Sequence, residues 1–242
     1  MKTKEVKQSI QSIGPRWAGF VAGLGILAMI YPAMVVLTML EDVLIKGNTA
    51  QTAQNVLAAG GFGSSVWIML STVIVLDIVA SVALWKYFAP ASPGLAKAVM
   101  VSRLVYAAVF AVAILQLTSA ANDPNQSLVA ITGFNHIWHA SLLLFGVHLL
   151  ILGWLVGRLA FRSDYLYKVT GVIVGGLLLI GGAGYLIDNV GLLFIPAYET
   201  SPIMVAALAI GETLFAGWLF SKSLKFFGIP TMVRKLKTHS TR

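Results

Sequence analysis

Read in windows of about 19 residues, the usual length for crossing hydrocarbon, the chain resolves into six long apolar stretches separated by short polar punctuation. They fall at residues 17–40, 64–85, 95–117, 136–160, 168–187 and 202–220. None shows the strict polar–apolar alternation of a barrel strand, and inside a bilayer every backbone group must find its partner within its own segment. Each stretch is therefore expected to be an α-helix. The fold class expected is all-α, a polytopic six-helix transmembrane bundle forming a single membrane domain over residues 1–242. Two outer connections have content of their own. Residues 47–60 begin with Asn48 and Thr49, suited to capping, and space Val56 and Leu57 against Gln51, Gln54 and Asn55, the pattern of a short interfacial helix. Residues 118–135 contain Asn122-Asp123-Pro124, a cap followed by proline at a first helical position, and are expected to form a second lid segment. Gly171, Gly175, Gly176, Gly181, Gly182 and Gly184 crowd the fifth stretch, which is expected to pack closely against a neighbouring helix.

Composition agrees with that pattern. Of 242 residues, 58% are hydrophobic and 11% charged, with mean hydropathy +0.85, too little polar surface to coat a soluble globule of this size. The chain has no cysteine, which excludes disulfide scaffolds, thiolate metal sites and cysteine nucleophiles. The formal charge of +8 bears first on topology. With the N-terminus inside, Lys and Arg gather at the cytoplasmic ends of the stretches. Only Lys46 falls outside and Arg103 lies within a stretch, while Glu41, Asp42, Asp123, Asp188 and Glu199 mark the outer segments. Both termini are thus expected to be cytoplasmic. The polar residues 1–15 lead into a retained first helix, since no small-residue cleavage site cuts the apolar run short. Residues 221–242 form a basic tail in which Phe226, Phe227, Ile229 and Met232 alternate with Lys225, Arg234 and Lys235, a composition suited to anionic lipid. No nucleic-acid partner is expected, because positive-inside topology already accounts for the charge.

An ionisable side chain deep in a span costs about 2.5–3.5 kcal/mol to insert, so each one calls for a partner. Counting the helical rise from the cytoplasmic ends puts Asp77 roughly 13 Å deep, Arg103 roughly 12 Å, and Glu212 and His148 roughly 15 Å. The second and third stretches are joined by a short connection and should pack antiparallel, which makes Asp77–Arg103 the expected ion pair. Tyr106 lies one turn from Arg103 and Ser81 one turn from Asp77. Glu212 joins them only if the sixth helix closes the bundle. Two accounts follow. In one, Asp77 and Arg103 form a staple that sets helix register, with His148 bonded to a carbonyl. In the other, Asp77, Arg103, Tyr106, His148 and Glu212 line a pocket that binds a small polar or amphipathic ligand or relays protons, with Arg103 gripping an anionic or carbonyl group.

Other chemistries fit less well. His136, His139 and His148 all come from one helix, whereas a bis-histidine haem needs ligands from facing helices, so no cofactor or metal is expected. The phosphate loop, zinc-protease helix and nucleophile elbow are all missing from the sequence, and catalysis is not expected.

The segments Pro15-Arg16-Trp17-Ala18-Gly19, NTAQTAQNVLAAGGFG, Ser102-Arg103-Leu104-Val105 and Gly146-Val147-His148-Leu149-Leu150-Ile151-Leu152-Gly153 occur in order along the chain. With Arg162-Ser163, Gly184-Tyr185-Leu186 and Gly211-Glu212, they resemble the domain-of-unknown-function 4386 family of mostly bacterial multi-pass membrane proteins. Members commonly have a proline shortly after the Arg-Ser, where this chain has Asp164-Tyr165-Leu166-Tyr167. The resemblance implies a multi-pass protein of the bacterial inner membrane and carries no chemistry with it. The residues themselves suggest a non-catalytic binding, sensing or transporter-like role. The alternatives are a small redox subunit with a cofactor held by His139 or His148, and a structural partner of another membrane protein that uses the glycine face of the fifth stretch.

Overall fold

The computed structural model describes residues 15–161, 165–200 and 202–224, with backbone alone at 165–167 and 202–209. The basic tail from residue 225, residues 1–14 and the Arg162-Ser163-Asp164 loop lie outside the described residues.

The described residues are helices joined by short turns and loops. Helix α1 spans Arg16–Val43, α2 Thr49–Ala58, α3 Ser64–Phe88, α4 Pro93–Asn122, α5 Ser127–Ala160, α6 Tyr165–Phe194 and α7 Pro202–Ser223. Among the described residues, five helices are long and apolar enough to cross a membrane: α1, α3, α4, α5 with its preceding 3₁₀ turn, and α6 from Lys168. The chain is a multi-pass membrane protein. The six long helices form a ring in which α1 packs on α3, α3 on α4, α4 on α5, α5 on α6 and α6 on α7, and α7 returns to α1. Their outer surfaces expose aliphatic side chains such as Ile68, Leu115 and Ile180, as expected of faces solvated by lipid. The interior carries Ala18, Ala22, Ala80, Ala113 and the polar side chains.

The short outer helix forms as its sequence suggests. Asn48 accepts the Gln51 amide at 3.0 Å through its side chain, filling one of the orphan donors of the first turn. The helix stops where the Gly61 amide reaches back to the Val56 carbonyl at 2.8 Å across Gly60, whose φ of +90° glycine tolerates best. Buried Thr52 ties α2 to the end of α1, donating to the Ile45 carbonyl at 3.2 Å and accepting its amide at 3.0 Å. Asn48→Ala is expected to cost about 1 kcal/mol of local stability and to speed amide exchange across residues 49–58. Unchanged exchange there would mean that packing alone holds the helix.

The second outer lid does not exist as a separate segment. Asp123 caps a 3₁₀ turn at Pro124–Gln126, accepting the Asn125 amide at 3.0 Å, and Leu128–Ile131 already belongs to α5. Helices α4 and α5 overrun the apolar stretches because hydropathy locates hydrocarbon, whereas a helix ends at its caps. Thr118, Ser119 and Thr132 stay helical by bonding back to the carbonyls of Leu115, Gln116 and Leu128. For the same reason α6 runs past residue 187 to Phe194, and Asp188, expected in an outer segment, is a buried helical residue.

The glycines of α5 and α6 face one another. A Cβ on Gly182 would stand 2.8 Å from the Gly146 carbonyl, and one on Gly175 would stand 2.9 Å from the Gly157 amide. This part of the glycine face serves packing within the chain.

Candidate functional site

Asp77 on α3, Arg103 on α4 and Glu212 on α7 meet in the middle of the ring. The Arg103 Nε donates to Asp77 Oδ1 at 2.8 Å, and Nη2 lies 2.7 Å from that same oxygen. Nη1 donates to Glu212 Oε1 at 2.8 Å, and Nη2 also lies 3.5 Å from the Met29 sulfur. The guanidinium sits 5.4 Å from the centre of the Phe145 ring, so an aromatic face covers it as well. Asp77 and Arg103 are each 1% exposed and the Glu212 side chain 20%. Ser81 donates to the backbone carbonyl of Asp77 at 2.6 Å and leaves the carboxylate alone.

Two features of this geometry matter chemically. The arginine fork converges on one oxygen, so Asp77 Oδ2 is buried without a hydrogen-bond partner among the described residues. The formal charges of the three side chains, two acids and one base, also leave one negative charge in excess. A cavity of about 190 Å³ adjoins the cluster. Its lining includes all three charged side chains, Thr213 and the rings of Tyr106, Phe110, Trp138, Phe145 and Tyr185. Ile30 and Met34 of α1 also line it while remaining exposed, and so mark its mouth.

The sequence expectations meet this site unevenly. The Asp77–Arg103 pair forms as anticipated, and closure of the ring by α7 brings Glu212 to it. Tyr106 reaches the cavity as a ring, stacked at 6.1 Å on Phe110, and no hydrogen bond joins it to the ions among the described residues. His148 does not line the cavity. Its Nδ1 lies 3.0 Å from the Val99 carbonyl and 3.2 Å from the Ser102 hydroxyl, and Phe145 stacks on it at 5.7 Å. A carbonyl only accepts, so Nδ1 carries the proton and Nε2 is left buried without a partner among the described residues. Arg103 directs four of its five N–H groups at Asp77, Glu212 and Met29, which leaves one Nη1 N–H for any further acceptor.

A second polar network lies at the C-terminal end of α6. Asp188 accepts the Tyr198 hydroxyl at 3.0 Å and the Thr200 hydroxyl at 3.0 Å. That bond to Asp188 holds the Tyr198 phenol above its usual pKa. The contact pins a loop in which Ala197 adopts a φ of +63°, uncommon for a residue with a Cβ. Next to it, Asn189 donates to the Tyr185 carbonyl at 2.8 Å and accepts from His139 Nδ1 at 2.9 Å. His139 therefore faces α6 and His148 faces α4. No group of three His, Cys, Asp or Glu side chains placed to hold a metal occurs among the described residues. The Asp188-Asn189 dipeptide was visible in the sequence, but its burial depended on how far α6 extends.

Comparison with known proteins supplies the family. No solved structure matches the chain. An uncharacterised protein of Archaeoglobus fulgidus is 32% identical over 153 residues, covering 63% of this chain and 80% of its own length. Residues 21–223 match the family described as Domain of unknown function (DUF4386), and the chain belongs to that family.

Proposed function

We propose that this protein is a six-span, non-catalytic protein of the cell membrane whose central cavity binds a small polar or amphipathic ligand, in a sensor or a transporter-like module. One observation carries the reading: three charged side chains of unequal sign line an intramembrane cavity instead of closing into a neutral cluster. Ionisable groups at such depth mark binding sites and pathways by default, and a purely structural staple would be served by Asp77 and Arg103 alone. The packing of α7 between α6 and α1 supports counting it as the sixth span. With six spans both termini share one side, and the distribution of Lys and Arg assigns it to the cytoplasm. The basic tail then faces the anionic inner leaflet. A proton relay is the second reading, favoured by the excess of acid over base.

The test is to weigh the undenatured protein in mild detergent beside the delipidated chain, for wild type and for Ala33→Phe. Ala33 lines the cavity and its methyl group takes no part in the ion pairs, so a larger ring there is expected to fill the space without removing any charged group. A reproducible bound mass in the wild type, absent from Ala33→Phe, is the expected result. A wild-type particle of bare chain mass would sink the ligand reading and leave the proton relay.

A further inference from the structure

The geometry points to a ligand of one chemical class: we propose that the cavity receives a protonated amine, with at least one N–H and a small apolar body. The inference rests on the reading of the cavity as a ligand site and sharpens it.

Charge is the first consideration. Asp77, Arg103 and Glu212 are the charged residues among those lining the cavity, and they sum to one negative charge. An anion entering there would meet that excess, and it would find four of the five Arg103 N–H groups already directed at Asp77, Glu212 or Met29. A cation completes the balance at close range, where the surroundings screen little.

Hydrogen bonding makes the same demand independently. Asp77 lines the cavity, is 1% exposed, and keeps Oδ2 without a partner among the described residues. A carboxylate oxygen only accepts, so what satisfies it must donate. An ammonium N–H does so and brings the missing charge with it, reaching the buried Oδ2 once the side chains between it and the cavity shift to admit it. A quaternary ammonium supplies the charge but no donor, and a neutral alcohol supplies the donor but no charge.

The walls add a third argument. Tyr106, Phe110, Trp138 and Tyr185 surround the space, while Arg103 already occupies the Phe145 face. Aromatic faces attract cations and accommodate apolar bodies. The exposed mouth, edged by Ile30 and Met34, is apolar and suits the body of the ligand. At about 190 Å³ the cavity is smaller than the pockets of about 300–1,000 Å³ that enclose drug-sized molecules, which favours a small amine. A divalent metal needs more oxygen ligands than two carboxylates provide, and no group of three His, Cys, Asp or Glu placed for a metal occurs among the described residues.

The same ammonium chemistry has two sources, a soluble amine and the headgroup of an aminolipid. The experiment uses full-length protein in detergent, with 2-phenylethylammonium and its near-isosteric anion 3-phenylpropionate as probes. Binding is read by Trp138 fluorescence and by thermal unfolding. The ammonium at ten times its Kd is expected to raise the unfolding temperature by about 3–6 °C, and the anion to leave it unchanged. Asp77→Asn should abolish the shift. Should that variant not fold, Ala33→Phe tests the same loss with the charges intact. Repeating the titration in nanodiscs separates the sources. A shift suppressed by phosphatidylethanolamine but not by phosphatidylcholine assigns the headgroup, and a shift present in both assigns a soluble amine. Equal or greater stabilisation by 3-phenylpropionate would overturn the proposal. So would no shift with either probe; if the wild type still carried its native bound mass, only the ligand class would fall, and with bare chain mass the ligand site would fall too.

Discussion

Replacing Arg103 with methionine is expected to destabilise the protein by about 3–5 kcal/mol, the range measured when one partner of a buried ion pair is removed. The size follows from what is left behind. Asp77 is 1% exposed and would lose both of its contacts to the guanidinium, while Glu212, one-fifth exposed, would lose the bond from Nη1. Two carboxylates would then repel one another in a space that screens little. At roughly 2–4 °C per kcal/mol for a chain of this size, unfolding followed by tryptophan fluorescence should move down by on the order of 10 °C. The triple variant Asp77→Asn, Arg103→Met, Glu212→Gln removes every formal charge from the cluster and should recover a large part of the loss, because the cost lies in the unpaired charges. If the single variant unfolds within about 1 °C of wild type, the cluster is hydrated and the accounting of charge is wrong.

Gly182→Ala is expected to destabilise the protein by about 1–3 kcal/mol. Its Cβ would stand 2.8 Å from the Gly146 carbonyl and 3.0 Å from the Leu150 amide nitrogen. Both are backbone atoms of α5, so neither can swing aside as a flexible side chain would. Helix α6 would have to back away, loosening the contact that sets Phe145 against Tyr185, ring centres 5.3 Å apart on the cavity wall. Gly176 is the control. It lies on the same helix, with nothing within 4 Å of its virtual Cβ, and alanine there should gain up to about 1 kcal/mol from helix propensity. Matching unfolding temperatures for the two variants would show that close approach of α5 and α6 does not carry stability.

Much of this is readable in the amino-acid sequence. The pairing of Asp77 with Arg103 was legible because residues 86–94 read as a short connection, which sets the second and third stretches side by side, and the helical rise then places the two at matching depth. The Asn48 cap was legible because capping is local chemistry, decided within four residues. Helix ends beyond the hydrocarbon were not. Thr118 and Ser119 look like loop residues, yet each bonds back to its own helix, and Asp188 looks like a surface acid, yet the loop ending at Thr200 folds over it. The place of His148 was also beyond the sequence. It shares a depth with Glu212, but depth says nothing about which neighbour a side chain meets.

That distinction separates what the sequence determined by itself from what the tertiary structure decided. Apolar length makes the spans, the caps place the outer helix, and counting the rise ranks Asp77, Arg103, His148 and Glu212 along the membrane normal. All are one-dimensional properties, additive along the chain. Azimuth is not: these helices are apolar on nearly every side, so no hydrophobic stripe announces which face turns inward. Only packing of α7 between α6 and α1 brings a second acid to Arg103, only glycine-to-glycine contact fixes the turn of α6 against α5, and only their sum leaves Asp77, on the wall of an aromatic cavity, with a buried Oδ2 that has no hydrogen-bond partner among the described residues. The residues that bear charge were written in the sequence, and the imbalance among them arises from the closure of the ring.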